Sequence, residues 1–116
     1  MGNLPHANPS PRIVNGVLKW YLGDTFDIQI KLDLEDQDGE EIIINNESSV
    51  EAVFLDRRKK VVKEFVFSNI KDNTITLSFD NNISSLFPIG EYTYDIYYCV
   101  GDRRITLADN NRVIVE

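Results

Sequence analysis

The stretch LFPIGEYTYDIYY, Leu86 to Tyr98, sets four of the chain's five tyrosines within seven residues, behind a Leu-x-Pro-x-Gly approach. Successive side chains of a strand point to opposite faces. Tyr92, Tyr94, Ile96 and Tyr98 therefore fall on one face, and Thr93, Asp95, Tyr97 and Cys99 on the other. A strand from Glu91 to Val100 follows, entered through a corner made by Leu86, Pro88 and Gly90. A tyrosine standing first on such a strand folds back and gives its hydroxyl to an upstream backbone carbonyl, fixing the link between two packed sheets. Tyr92 reads as this tyrosine corner and Tyr94 and Tyr98 as core. Only Tyr97 is left to touch something outside.

Working outward, Phe26, Ile28, Ile30, Leu32 and Leu34 alternate with polar residues, and Ile75, Leu77 and Phe79 do the same within Ile70 to Phe79. Both are half-buried strands. Shorter strands are expected at Val17 to Leu22, Ile42 to Asn45, Val50 to Leu55 and Lys60 to Phe67. After the Gly101-Asp102 turn come Arg103 to Leu107 and, past "ADNN", Arg112 to Val115. One helical turn, capped by Asn82 and stopped by Pro88, joins Phe79 to the tyrosine strand. About seven to nine short strands with one helical turn make an all-β chain, an immunoglobulin-like antiparallel β-sandwich. A small barrel is the alternative. The prolines at 5, 9 and 11 mark residues 1–14 as a flexible arm, with residues 15–116 as one β-sandwich domain.

The hairpin around the basic tip Asp56 to Lys59 is apolar on both faces. Val50, Ala52 and Phe54 share a face on one strand, and Val61, Phe65 and Phe67 on its partner. Val53, Leu55, Val62 and Val66 lie at the opposite parity. Apolar residues at solvent parity mark an interface, so Val53, Leu55, Val62, Val66 and Tyr97 form the candidate protein-binding surface.

With 116 residues, the chain has the size of one domain. Its net charge of −7 repels phosphate backbones and anionic lipid heads, which argues against nucleic-acid and membrane partners. No apolar run approaches the ~20 residues of a membrane span, and the start, MGNLPHANPSPR, lacks the apolar core of a signal peptide. The single cysteine, Cys99, excludes an internal disulfide.

Catalytic chemistry finds little to build on. The only histidine, His6, lies in the arm, and Cys99 stands far from it in sequence. Two such residues are too few for structural zinc. Asp36, Asp38 and Glu40 offer oxygen ligands, yet placing Gly39 at the sixth position of a calcium loop puts Leu34 first and Asn45 twelfth, where a bidentate glutamate is needed. No phosphate-binding glycine loop follows any strand. We expect no catalytic residues, no metal and no cofactor. A carbohydrate- or peptide-binding module is the alternative, with Trp20, Tyr21 and Tyr97 as its stacking platform.

The order of "GDTFDIQIKLDLEDQDGEEI", "VEAVFLDRRKKVVKEF", "ITLSF" and "LFPIGEYTYDIYYCVGDRRITLADNNRVIV" resembles small β-sandwich proteins from bacteriophage and prophage structural regions, similar to the N-terminal domain of phage baseplate upper proteins. Gly23-Asp24-Thr25, Asp38-Gly39, Pro88, Gly90, Tyr92, Tyr94 and Asp95 carry the resemblance. It departs at the proline-containing start and at "EEIIINN". The resemblance implies a non-enzymatic part of a phage-like tail, baseplate or fibre that works through protein–protein contacts. Its partners would be other structural subunits, including further copies of itself, and its place the virion, or the bacterial cytoplasm during assembly.

Overall fold

The computed structural model describes residues 11–35, 37–44 and 47–116. Its elements run β1 (Arg12–Val14), β2 (Val17–Trp20), β3 (Phe26–Lys31), β4 (Ser48–Leu55), β5 (Val61–Phe67), β6 (Thr74–Phe79), α1 (Asn81–Ser84), β7 (Gly90–Val100) and β8 (Arg103–Val115). A six-stranded sheet in the order β1-β2-β8-β7-β4-β5 packs against a two-stranded sheet of β3 and β6. The chain is an all-β, immunoglobulin-like sandwich. Pairing is antiparallel except between β2 and β8, which run parallel with Leu18 opposite Val113 and Trp20 opposite Val115.

The inward faces meet in an aromatic core. Trp20, fully buried, lies 5.1 Å from Phe26, 5.1 Å from Phe79 and 5.6 Å from Phe87 between ring centroids. Phe54 closes the group from β4. Burying Trp20 removes it from any binding platform. Behind it the Tyr92 hydroxyl donates to the Pro88 carbonyl at 2.5 Å, and burial pushes its pKa up, with the Asp56 charge adding.

Several boundaries differ from the sequence reading, each for a local reason. Arg12–Val14 does not belong to an arm. It pairs with β2 through Asn15 and Gly16, whose φ values of 53° and 78° suit the tight hairpin turn that Asn-Gly favours; residues 1–10 lie outside the described residues. The cap of α1 is Asp80, not Asn82: its carboxylate accepts the Ile83 N–H at 2.9 Å. Ser84 then donates to the Asp24 carbonyl at 2.6 Å, tying the turn to the β2–β3 connection. Arg103 to Val115 is one strand, because "ADNN" bulges without leaving the sheet.

Of the expected Ile42 to Asn45 strand, Ile42 to Ile44 do not form a strand element; Asn45 lies outside the described residues. In place of a partner strand, buried Asn73 accepts the Ile44 N–H (2.9 Å) and donates to the Ile42 carbonyl (2.8 Å). One amide side chain thus offers the acceptor and donor that a neighbouring strand would present.

Candidate functional site

The outer face of the six-stranded sheet is the surface on which the sequence analysis placed its interface. Its register fixes which side chains share it. Glu51 stands opposite Val66 and Tyr97, Val53 opposite Glu64 and Asp95, and Leu55 opposite Val61 and Thr93. Val62 is not among them. The register slips after Phe54, so that Phe54 faces Lys63 while Leu55 faces Val61. That bulge sends Val62 inward against the core and leaves Val61 outside, 56% exposed. Val53, flanked by longer polar side chains, is only 5% exposed and offers little to a partner. Val66, at 64%, is open. The exposed apolar residues of this face are therefore Val61 and Val66 on β5, with half-buried Leu55 opposite Val61 and exposed Glu64 between the two valines.

β5 is also an edge strand. Its inner face carries Lys63, opposite Phe54, with the ammonium 5.5 Å from the centroid of the Phe65 ring. An inward-pointing charge of this kind discourages indiscriminate strand pairing.

Tyr97 is engaged within the sheet. Its hydroxyl donates to Asp95 Oδ2 (2.9 Å), and the Arg104 guanidinium lies 3.7 Å from its ring centroid. The Asp95 hydrogen bond pushes the Tyr97 pKa up, with burial adding. Asp95, itself buried, also accepts the Asn110 N–H at 2.8 Å. Asn110 sits at φ 52° in the β8 bulge, where Lys59 from the β4–β5 tip reaches its Oδ1 at 3.2 Å. A polar tie thus runs from the hairpin tip through the bulge to the centre of β7.

Cys99 lies on the same face, 3.5 Å from Glu51 Oε2. Burial, then the Glu51 carboxylate, push its thiol pKa up, which disfavours the nucleophilic thiolate. Arg104 balances Glu51 at 3.6 Å, and Arg112 balances Glu91 at 3.0 Å. The tip itself is shaped by Asp56, whose Oδ1 accepts the N–H groups of Arg58 and Lys60; the Lys60 bond is foremost in holding its carboxyl below the usual range. His6, Asp36 and Asn45 lie outside the described residues. Among the described residues no three potential ligands gather to hold a metal ion.

The platform of Trp20, Tyr21 and Tyr97 is not assembled. Trp20 is in the core, Tyr21 pairs its ring with Arg12 at 4.8 Å, and Tyr97 belongs to the β7 face. The sequence reading missed the Val61-for-Val62 exchange and the Asp95–Asn110 tie. The first follows from a bulge that parity counting passes over; the second had its signal in "ADNN", residues that adopt the left-handed backbone a bulge needs. No protein-family model matches this chain, and no curated protein matches it.

Proposed function

We propose that the chain is a non-enzymatic assembly module of a phage-like tail, baseplate or fibre, which holds other structural subunits through its outer sheet face. The observation that carries this reading is two exposed apolar side chains on an edge strand, Val61 opposite Leu55 and Val66 opposite Glu51, with Glu64 between them and Arg104 paired to Glu51. Exposed apolar side chains interleaved with charged ones give such a face both an apolar hold and charge complementarity toward another protein. The phage setting rests on the resemblance of the Gly23-Asp24-Thr25, Asp38-Gly39 and Pro88 to Asp95 segments. The glycan-binding alternative loses its principal support with Trp20 buried.

Sedimentation of the chain over a wide concentration range, alone and with the products of neighbouring genes, tests the proposal. Val61→Asp/Val66→Asp should abolish association while the melting transition stays in place, since both side chains are already solvated. A chain that stays monomeric in every mixture, or a double variant that assembles as well as the parent, refutes it.

A further inference from the structure

The six-stranded sheet overhangs the two-stranded one at the β1 end. Ile13 stands opposite Leu18 and so shares the inner, core-facing side of its sheet, yet it is 74% exposed. Nothing in the smaller sheet lies over it. Beside it opens a cleft of about 320 Å³ lined by Ile13, Leu18, Ile28, Ile30, Leu77 and Phe54 among others. That is about twice the ~150 Å³ cavity that holds a benzene, enough for two branched side chains.

The wall of this cleft is the open edge of β3. Leu32 and Asn73 form a hydrogen-bonded pair, with Leu32 N–H donating to the Asn73 carbonyl at 2.7 Å. By the two-residue repeat of an antiparallel ladder, Ile30, Ile28 and Phe26 also bond toward β6. The N–H and C=O groups of Asp27, Gln29 and Lys31 therefore point outward, and among the described residues no strand pairs with them. Unlike β5, this edge has no inward charge: its inner residues are Phe26, Ile28 and Ile30.

We propose that the cleft takes one extended segment of a partner chain, added antiparallel to β3 so that the smaller sheet gains a third strand over Ile13. Two apolar side chains of the segment would stand opposite Ile28 and Ile30 and fill the cleft. An acidic residue would stand opposite Lys31 and a basic one opposite Asp27. Both Asp27 and Lys31 are exposed and make no ion pair among the described residues. Main-chain bonds give such an added strand its hold, and alternate side chains its specificity.

Two nearer occupants are separate outcomes of the test. Residues 1–10, MGNLPHANPS, contain no acid, lysine or arginine to answer Asp27 and Lys31. A second copy's β3 could meet the same requirements, its Asp27 and Lys31 answering Lys31 and Asp27, and would reveal itself as protection of the free chain that is lost on dilution. The inference rests on reading the domain as one that holds other proteins. Its surface lies at the opposite end of the six-stranded sheet from Val61 and Val66, so either can fail alone.

The test is amide hydrogen exchange with a synthetic nonapeptide, Gly-Ser-Glu-Val-Thr-Val-Lys-Ser-Gly, against a control with its Glu and Lys exchanged. The matched peptide should slow exchange at Asp27, Gln29 and Lys31 and leave β5 unchanged. The control should bind roughly three- to tenfold more weakly, as expected for two cross-strand charge pairs. Asp27→Lys/Lys31→Glu should reverse that order, and Ile13→Asp, a change at an already exposed position, should abolish binding of the fully folded protein. Equal binding of both peptides, or no protection at β3, overturns the proposal. So does a β3 edge already protected in the free chain, whether the protection is lost on deleting residues 1–10 or on dilution; those outcomes assign the cleft to the chain's own segment or to a second copy.

Discussion

Replacing buried Asn73 with alanine removes two hydrogen bonds and a residue suited to its backbone at once. Among the described residues the side chain is the partner of the Ile44 N–H, and Ile44 is buried. Stranding that donor costs about 1–3 kcal/mol, and losing the less buried bond to the Ile42 carbonyl about 1 kcal/mol more. Asn73 also sits at φ 50°, where a β-carbon other than that of Asn or Asp costs roughly another 1 kcal/mol. Asn73→Ala should therefore lose about 3–5 kcal/mol, a large fraction of the ~5–15 kcal/mol that holds a domain together. Asn73→Gly loses both hydrogen bonds but not the backbone tolerance, so it should recover about 1 kcal/mol of the alanine loss.

Urea melts with unchanged slopes measure both differences, and native-state exchange at the Ile44 amide locates them. Both variants should make that amide exchange faster at low denaturant, before global unfolding. An Asn73→Ala protein within about 0.5 kcal/mol of the parent, or one whose Ile44 amide keeps its protection, refutes the idea that Asn73 substitutes for a strand. Equal losses for alanine and glycine refute the backbone part alone.

The β5 bulge predicts opposite outcomes for neighbouring valines: Val61→Asp should shift stability by less than about 0.5 kcal/mol, while Val62→Asp, against the core, should cost about 1–3 kcal/mol in the same melts. Tyr92→Phe should cost about 1 kcal/mol through the lost bond to Pro88, and a variant of unchanged midpoint would count against the corner. Burial raises the pKa values of Tyr92 and Tyr94, so the folded state favours their neutral forms; this stability is complete below about pH 10 and is lost as pH rises through the raised values. Alkaline melts should show that loss, and Tyr92→Phe should be the less base-sensitive protein.

What alternation can encode was legible in advance. β3 and β6 bury one face each, and their apolar residues stand two apart, so class and packing follow from periodicity. The places that escaped are those where the period slips or a distant residue intervenes. One extra residue at the β5 bulge exchanged Val61 and Val62 between core and solvent, and no count along the strand shows it. Asn73 lies 29 residues from Ile44, a separation across which local patterning carries no information. Asn15-Gly16, flanked by Ile13-Val14 and Val17-Leu18, is by contrast a local hairpin signal; the prolines just before it pointed to an arm and masked it.

A six-stranded sheet laid on a two-stranded one cannot be covered at both ends, and the chain treats its two ends differently. At β5 the inner face carries Phe65 and Phe67, and the chain provides for them: Lys63 lies over Phe65, and Ile70 from the β5–β6 connection packs against the core. At β1 the inner face carries Ile13, and the described residues provide nothing. Equal neglect at both ends would be the mark of a small domain short of material. Closure at one end, and at the other a bare isoleucine beside an open strand edge with no inward charge, is the condition under which a partner's segment can add to the core rather than merely touch the surface.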